Sequence, residues 1–494
     1  MKLLLVYPEI EASNTNTSTY SLPLGLGSIA TYCKKMLGDL LEVRILDGSM
    51  MPHEEQLRVV RDYKPDLTGI NSTIASQKNA YEIGQSAKEY GSKVIFGGVH
   101  SSATWDSGKS GMWKNMLQNR DFIDGVVLYD GEIPVSIILK RLKMARYFRE
   151  IPNLAYKDSD GQIHPPNSIY IPSLDELPDI DYSLFDLERF FEQTQKRGFG
   201  KAVSYYAGKG CAKRGCVNLK HSYSFEEYAQ LVDSMDVCTF CGRNELGLRN
   251  LDEEREARIV RDLHEKYGVT GFFNVQDTVN LRNKSPIGLN GCWVRVFIGT
   301  ESITSGNIKK LKQRYGLNLI FQAGIEAANP QMRQVYGKKA TDLGDLIAKV
   351  EMMRDEGIQL HASFILGGRG ETKDFMHRTI DVARRLADYE NVAWLLISPQ
   401  LILPGSPDQK AFLQMPKMHR KYAEQDLIDI VGISQDFLRY FTPCLIRPKI
   451  IEEIKTLSDD VRKKNRKDLV LDVKGVDNEE EAYINPIRGY VEEA

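Results

Sequence analysis

At 494 residues the chain is too long for one ordinary hydrophobic core, and its 42% hydrophobic content suffices to bury two. Its 65 Lys and Arg against 67 Asp and Glu leave a formal charge of -2, which removes the electrostatic case for nucleic acid as the main partner. No apolar stretch reaches the length of a signal sequence or a membrane span, since residues 3–6 stop at Pro8 and residues 395–403 are interrupted by Pro399 and Gln400, so a reducing cytoplasmic setting is expected.

Residues 1–140 alternate strand-like and helical stretches. The run 3–7 is apolar and ended by Pro8; 24–37 reads helical, 41–46 strand-like and 53–63 helical. Strand-like runs at 67–71, 93–96 and 125–128, with a helix at 80–90, continue the pattern. Continuous apolar strands separated by helices imply an α/β, doubly wound, Rossmann-like domain that binds ligands at the carboxyl ends of its strands. Those ends carry Pro8, Asp47-Gly48, Ser72-Thr73, Gly97-Gly98-Val99-His100 and Asp130-Gly131-Glu132. Small residues there let a flat cofactor approach the backbone, although any one such loop could be an ordinary strand-to-helix turn.

Residues 141–200 read as a linker with a hairpin at 154–164, turned at Asp160-Gly161 and followed by Pro165-Pro166. From Ala202, strand-like runs at 203–206, 271–275, 319–323, 359–366 and 394–397 alternate with helices. Such units over 201–410 fit a full or partial (β/α) TIM-type barrel with its chemistry at the strand C-termini. Residues 411–494 form a C-terminal extension whose charged runs at 461–467 and 479–482 read as solvated faces.

Seven cysteines, an odd number, point to metal or catalytic use of some of them. Gly210-Cys211 follows the first strand of the second domain, and Cys238-Thr239-Phe240-Cys241 comes later. Omitting residues 215–237 leaves Cys-x3-Cys-x2-Cys on one loop. Three thiolates suit an iron–sulfur cluster and leave one iron open for an outside ligand. Cys238 and Cys241 alone would also suit a zinc knuckle or a redox motif. Cys216, inside the interruption, competes with Cys211 as the first of the three. Cys211 is preferred because it follows the strand and completes the three-residue gap. Cys33, Cys292 and Cys444 read as buried structural thiols. The amphipathic stretch 225–235 predicts a helix inside the interruption, which is either a surface excursion or a lid.

With these residues in order, the chain resembles the radical S-adenosylmethionine superfamily, in the branch with an N-terminal cobalamin-binding domain. The resemblance runs over about residues 1 to 410 through Pro23-Leu24-Gly25-Leu26, Lys64-Pro65-Asp66, the 97–100 and 130–134 loops, the cysteine loop, Gly324-Ile325-Glu326, the 367–372 loop and Pro404-Gly405-Ser406. In that family S-adenosylmethionine chelates the free iron of a [4Fe-4S] cluster, and its reductive cleavage gives a 5′-deoxyadenosyl radical. The resemblance implies Cys211, Cys238 and Cys241 as cluster ligands. It further implies S-adenosylmethionine contacts from Asn274 and Asp277 at the second barrel strand, Glu326 at the fourth, and the Ile365 to Gly367 backbone at adenine; Glu326 could instead cap the helix starting near Pro330. Cobalamin would meet Pro8, Ser72, Thr73, Gly97, Gly98, His100, Gly131 and Glu132.

The first domain lacks Asp-x-His-x-x-Gly, by which many cobalamin domains supply a histidine to cobalt. Asp47 and His53 stand at the wrong spacing, and His100 is either a ligand or a loop residue anchored by backbone. Cobalamin bound without histidine is the expectation. The resemblance implies methyl transfer to an unreactive carbon, with a radical cyclase or rearrangement enzyme, or a non-catalytic sensor, as alternatives. The expected partners are a small-molecule or peptide substrate and an electron donor such as flavodoxin or ferredoxin, with neither nucleic acid nor membrane.

Overall fold

Strand β1 (Lys2–Tyr7) places Leu3 to Val6 wholly inside the protein, as only a strand covered on both faces allows. The computed structural model describes residues 1–10, 21–105, 108, 110–142, 148–211, 213, 221–235, 237–243, 245–282, 285–288, 291–316, 318–445, 447–463 and 470–473. Around β1 run β2 (Glu42–Asp47), β3 (Leu67–Asn71) and β4 (Lys93–Gly97). A small ribbon of β5 (Thr104–Trp105) and β6 (Ser110–Gly111) precedes β7 (Gly125–Val127). The parallel order is β2-β1-β3-β4-β7, covered by helices α1 (Leu24–Leu37), α2 (His53–Tyr63), α3 (Gln77–Glu89), α4 (Met112–Asn119) and α5 (Glu132–Arg141). The hairpin expected in the linker, β8 (Leu154–Lys157) and β9 (Ile163–His164), adds antiparallel to β7 as the sheet edge. The hairpin expected within 141–200 thus extends the first sheet.

After β10 (Ser168–Tyr170) and α6 (Leu187–Lys196), the second sheet opens with β11 (Ala202–Tyr205). A hairpin of β12 (Gly208–Gly210) with the later β14 (Leu248–Asn250) brackets β13 (Ser222–Ser224) and α7 (Phe225–Asp233). There follow α8 (Glu253–Tyr267), β15 (Gly271–Asn274), β16 (Trp293–Phe297), α9 (Ser305–Tyr315), β17 (Leu319–Glu326), α10 (Pro330–Val335), α11 (Leu343–Asp355), β18 (Gln359–Leu366), α12 (Lys373–Leu386) and β19 (Val392–Pro399). Then come α13 (Pro407–Leu413), α14 (Pro416–Tyr422), α15 (Ile430–Phe441), α16 (Arg447–Lys463) and β20 (Val470–Val473). Local signals set these limits: Asp252 accepts from the Glu254 and Arg255 N–H groups to start α8, and Gly268 ends it with φ 68°.

The order β11-β15-β16-β17-β18-β19-β20 is parallel throughout, and β20 does not pair with β11 among the described residues. Among the described residues no pairing closes this sheet, so of the two expected forms they show the partial one. Alternate residues such as Phe272, Val294, Phe321 and Leu360 join the core cluster with helix residues, while Arg295 and His361 take the alternate positions of their strands. The tail is not only a solvated face, because α16 buries Ile450, Ile454 and Leu457 and β20 lengthens the sheet. The runs at 464–467 and 479–482 lie outside the described residues, as does Cys216.

The extension also binds the first domain. Tyr81 Oη donates to the Asp426 carbonyl at 2.9 Å, Asn115 Nδ2 to the Ala423 and Gln425 carbonyls at 2.8 Å, and Arg120 Nε to Asp426 Oδ2 at 2.5 Å. Phe412, Tyr422 and Phe437 share one apolar core with Val6 and Phe96 of the first sheet.

Inside the second domain, α8, α9 and β11 meet at a buried charge. Glu256 receives Arg314 Nη2, Tyr205 Oη at 3.2 Å and Tyr315 Oη at 3.1 Å, with Glu256 and Arg314 both at most 1% exposed. Glu256→Ala would leave the guanidinium without its nearest counter-charge and should cost about 3–5 kcal/mol. The check is the urea midpoint of the variant against wild type, and an unchanged midpoint would contradict this role.

Candidate active site between the two sheets

The carboxyl ends of the first sheet face those of β11 and β15 across a crevice of about 1110 Å³ between atoms, including its solvent-open mouth. Its first-domain side is largely apolar backbone and side chain, with Gly97, Gly98, Gly131, Leu26, Ile29 and Tyr129. Its far side holds Tyr206, Gly208 to Gly210, Arg243, Glu245, Val275 and Asp277. Gly98 is demanded by φ 95° and by Asn71 Oδ1, which a Cβ would meet at 2.0 Å.

Four charges fix the two sides. Lys209 Nζ lies 3.1 Å from Asp130 Oδ1 and 3.0 Å from Glu132 Oε1, and Arg249 Nη2 lies 2.8 Å from Asp130 Oδ2. Ser28 Oγ donates to Glu132 Oε1 at 2.6 Å. Burial alone would raise the Asp130 carboxyl, but Lys209 and Arg249 hold it below the usual carboxylate range.

Of the first-domain residues read from the sequence, the structure brings Gly97, Gly98, Gly131 and Glu132 to the crevice. Pro8, Ser72, Thr73 and His100 are not among its lining. Ser72 Oγ lies 3.2 Å from Ser101 Oγ, and Thr73 Oγ1 3.0 Å from Ser76 Oγ, a local turn. Both ring nitrogens of His100 are buried and meet no partner among the described residues; burial lowers it to about 4, despite Asp426 nearby, so it stays neutral.

Gly210 delivers Cys211. With φ 89° its Cβ would come 2.1 Å from the Gly247 carbonyl, so the hairpin before the cysteine needs glycine. Cys211 Sγ is 3.9 Å from Thr278 Oγ1, and Arg243 is charged in the field of both Cys241 and Cys211 while pairing with Asp277 at 3.0 Å. Burial raises the Cys238 thiol, and Lys338 and Lys213 pull it the other way. No group of His, Cys, Asp or Glu among the described residues converges on a single metal ion. A cluster takes one thiolate per iron, so its ligands need not meet at a point. Three part-exposed thiols beside Arg243, Lys213 and Lys338 fit such a cluster by donor chemistry and charge. Cys33 and Cys292 are buried as expected, but Cys444 is exposed, its Sγ 3.4 Å from the Glu371 carbonyl.

Glu326 ends β17 with φ 65°, at a bulge, and meets Lys338 Nζ at 3.1 Å. It does not cap the next helix, because Asn329 accepts from the Gln331 and Met332 N–H groups. Asn274 Oδ1 accepts from Gln276 N–H at 3.1 Å, and its Nδ2 is buried without a partner among the described residues. Phe240 packs edge-on to Tyr336 with centroids 5.6 Å apart, and Tyr336 Oη donates to the Ile365 carbonyl at 3.3 Å. Phe240, Tyr336, Arg243 and Lys338, none of them singled out from the sequence, stand beside these residues. Only Phe240, between two motif cysteines, carried a signal.

No model of a known protein family matches the chain. It is 25% identical over 418 residues to an uncharacterised methyltransferase of Pyrococcus horikoshii, covering 81% of each chain. It is 22% identical over 410 residues to the anaerobic magnesium-protoporphyrin IX monomethyl ester cyclase of Rubrivivax gelatinosus, covering 78% of this chain and 66% of that one. Its fold matches the radical S-adenosylmethionine methyltransferase TsrM of Kitasatospora setae, solved with cobalamin and a [4Fe-4S] cluster, at TM-score 0.61 and 15% identity over 84% of this chain and 78% of that one. The resemblance seen in the sequence is thus borne out by these relatives and by the shared fold. No helix of its described residues is long and apolar enough to cross a membrane.

Glu371, 1% exposed, accepts at one oxygen from the Gly367 and Gly368 N–H groups and thereby shapes the 367–372 loop. Burial pushes its carboxyl up to about 7 from 4.5, against those two hydrogen bonds. A folded pKa above the unfolded one gives stability that is full below about 4.5 and lost as pH rises through about 7. Glu371→Gln should remove roughly 2–4 kcal/mol of pH-dependent stability across that window. Unfolding free energies of both proteins between pH 4 and 8 check this, and parallel curves would contradict it.

Proposed function

We propose that the chain is a cobalamin-dependent radical S-adenosylmethionine methyltransferase acting on an unreactive carbon of a small molecule. The observation that carries it is the crevice, which sets the small-residue strand ends of the first domain against Gly210, the residue before Cys211. TsrM has been solved with cobalamin and its cluster, and with tryptophan as substrate and an S-adenosylmethionine analogue. When bound, the cluster, S-adenosylmethionine and cobalamin supply one-electron cleavage and a methyl carrier, and the protein supplies orientation and water exclusion.

In this reading Cys211, Cys238 and Cys241 hold the cluster, and Lys213, Lys338 and Arg243 offset the negative charge of their thiolates. Phe240, Tyr336 and the Ile365 to Gly367 backbone form a wall for adenine. Asn274, Asp277 and Glu326 present polar groups to the rest of that ligand. Gly97, Gly98, Gly131 and Glu132 border cobalamin. The reading calls for an electron donor such as flavodoxin or ferredoxin. The cyclase relative supports a second reading, ring formation on the same scaffold. Analysis of products by mass separates the two, since methyl transfer adds one carbon to the substrate.

Anaerobic reconstitution should give about four irons per chain. Cys211→Ala, Cys238→Ala and Cys241→Ala should each lose the cluster absorbance and all cleavage of S-adenosylmethionine, while Cys216→Ala keeps both. Full iron content in any of the first three would overturn the ligand set, and loss in the fourth would reassign Cys216. Because His100 does not line the crevice, the Co(II) resonance of bound cobalamin should lack nitrogen splitting from a histidine. Splitting of each cobalt line into three, lost in His100→Ala, would contradict that.

A further inference from the structure

Reductive cleavage of S-adenosylmethionine needs an electron delivered to the cluster, so the donor has to find a face of the protein close to the cysteines. Two faces adjoin the loop of Cys238 and Cys241. On the first, Gly337 packs so close that a Cβ there would stand 3.3 Å from Cys238 Cα. The lysines beside it turn inward: Lys338 pairs with Glu326 at 3.1 Å and Lys213 donates to the Gly337 carbonyl. On the second, Val237 and Arg243, which flank the two cysteines, line a cavity of about 1540 Å³ between atoms, including its open mouth. Its other walls are α7 of the insertion, held on the first domain by Phe225 edge-on to Trp113 at 5.9 Å, and residues of α13 and α14 such as Leu413, Pro416 and His419. The cations inside, Arg243 and Lys410, are paired with Asp277 and Asp233, so the cavity walls are close to neutral.

Unbalanced charge lies on the rim. From Gln409 to Ala423 the chain carries Lys410, Lys417, Arg420 and Lys421 and no acid, in a molecule of formal charge -2. Lys417, Arg420 and Lys421 stand at i, i+3 and i+4, so they share one face of α14, and all three are exposed. Met418 and Tyr422, 9% and 5% exposed, form the face turned inward, while Pro416 and His419 stand toward the cavity. Asp436 of α15 takes Lys421 at 2.7 Å and Arg439 at 3.4 Å, which brings a fourth cation to the same surface. Lys417 and Arg420 have no acidic partner among the described residues, and the only other acid nearby in the chain, Glu424, stands past the end of α14. One turn along α15 from Asp436, Tyr440 is 59% exposed, so an aromatic ring borders the cations, as it does at the centres of protein interfaces.

We propose that this face of α14 and α15 is where the electron donor docks, and that the donor is an acidic one-electron carrier protein of the flavodoxin type, seated with its cofactor edge at the cavity mouth. The inference rests on the radical S-adenosylmethionine reading and names the partner surface of that same site. A basic helix face alone reads as solvated surface. What marks this one is the cavity beside it, which ends on the residues flanking Cys238 and Cys241, so that open space and not a packed layer separates a seated donor from the cluster loop. Complementary charge then steers encounter and fixes the orientation of the donor. In the step itself flavodoxin hydroquinone is oxidised to its semiquinone and the cluster gains that one electron, with no bond made or broken in either protein.

The test compares two reductants on the reconstituted full chain: flavodoxin hydroquinone, which has to dock, and dithionite, which does not. Cluster bleaching and flavodoxin semiquinone formation are followed by stopped flow. The double variant Lys417→Glu with Arg420→Glu should slow reduction by flavodoxin about tenfold at low salt and leave reduction by dithionite within about twofold of wild type. Raising salt from about 0.05 to 0.5 M should slow the flavodoxin reaction of the wild type and barely change that of the variant. Lys339→Glu, an exposed charge on the first face, should alter neither reaction. Iron content and far-ultraviolet dichroism verify folding. Equal flavodoxin rates in the double variant and wild type, loss with both reductants, or loss in Lys339→Glu alone would each overturn the surface. Salt-sensitive binding of the wild type to RNA or to anionic lipid vesicles, with none to flavodoxin, would overturn the partner. If dithionite drives no cleavage of S-adenosylmethionine by the wild type, the earlier reading fails; if it does, and the flavodoxin reaction ignores the charge variants, only the docking surface is wrong.

Discussion

The buried charges of Asp130, Glu132, Lys209 and Arg249 are the interaction on which the rest of the molecule depends. Removing four charges from water is costly, and the cost is offset only while every partner is present and well placed. Two of these residues belong to the strand-end loop that borders the crevice, and two to the hairpin that delivers Cys211. Holding the domains together and setting the spacing between the strand-end loop and the cysteine loop are therefore one act. A purely apolar contact between the domains could slide, whereas directional ion pairs allow one register.

Two further ties brace that register. The loop before α15 gives its carbonyls to side chains of α3 and α4, and the insertion helix packs its aromatic face on the first domain. The chain thus folds back twice on its N-terminal half, and the extension is part of the architecture. This explains why the charged tail includes buried isoleucine and leucine at a helical spacing: Ile450, Ile454 and Leu457 face the second sheet's core.

Much of this was legible in the sequence because parallel strands buried on both faces are continuous apolar runs, and their order gave both sheets. The helix at 225–235 and the glycine loops at 97 and 131 were read from local pattern alone. β16 was missed because Arg295 interrupts its apolar run; in the folded chain the guanidinium lies over the Phe273 ring at 4.4 Å. The linker hairpin was found, but its pairing with β7 is a contact no local pattern reports. Ser72, Thr73 and His100 sit at strand ends like the glycines, yet their side chains are turned to internal partners or buried. Period and position place a residue at an end of a sheet, but not which way it faces. Arg243 and Lys338 became visible only once the fold set them beside the cysteines.

The strand ends of the first domain and Gly210 and Arg243 of the cysteine loop line one shared crevice. Its most direct test is the paramagnetic resonance of protein loaded with both Co(II)-cobalamin and the reduced cluster. Two spins facing each other across one crevice should perturb each other, so both signals should broaden or split and relax faster than in samples carrying either alone. A spectrum that is the plain superposition of the two separate signals, with unchanged relaxation, would contradict the shared site.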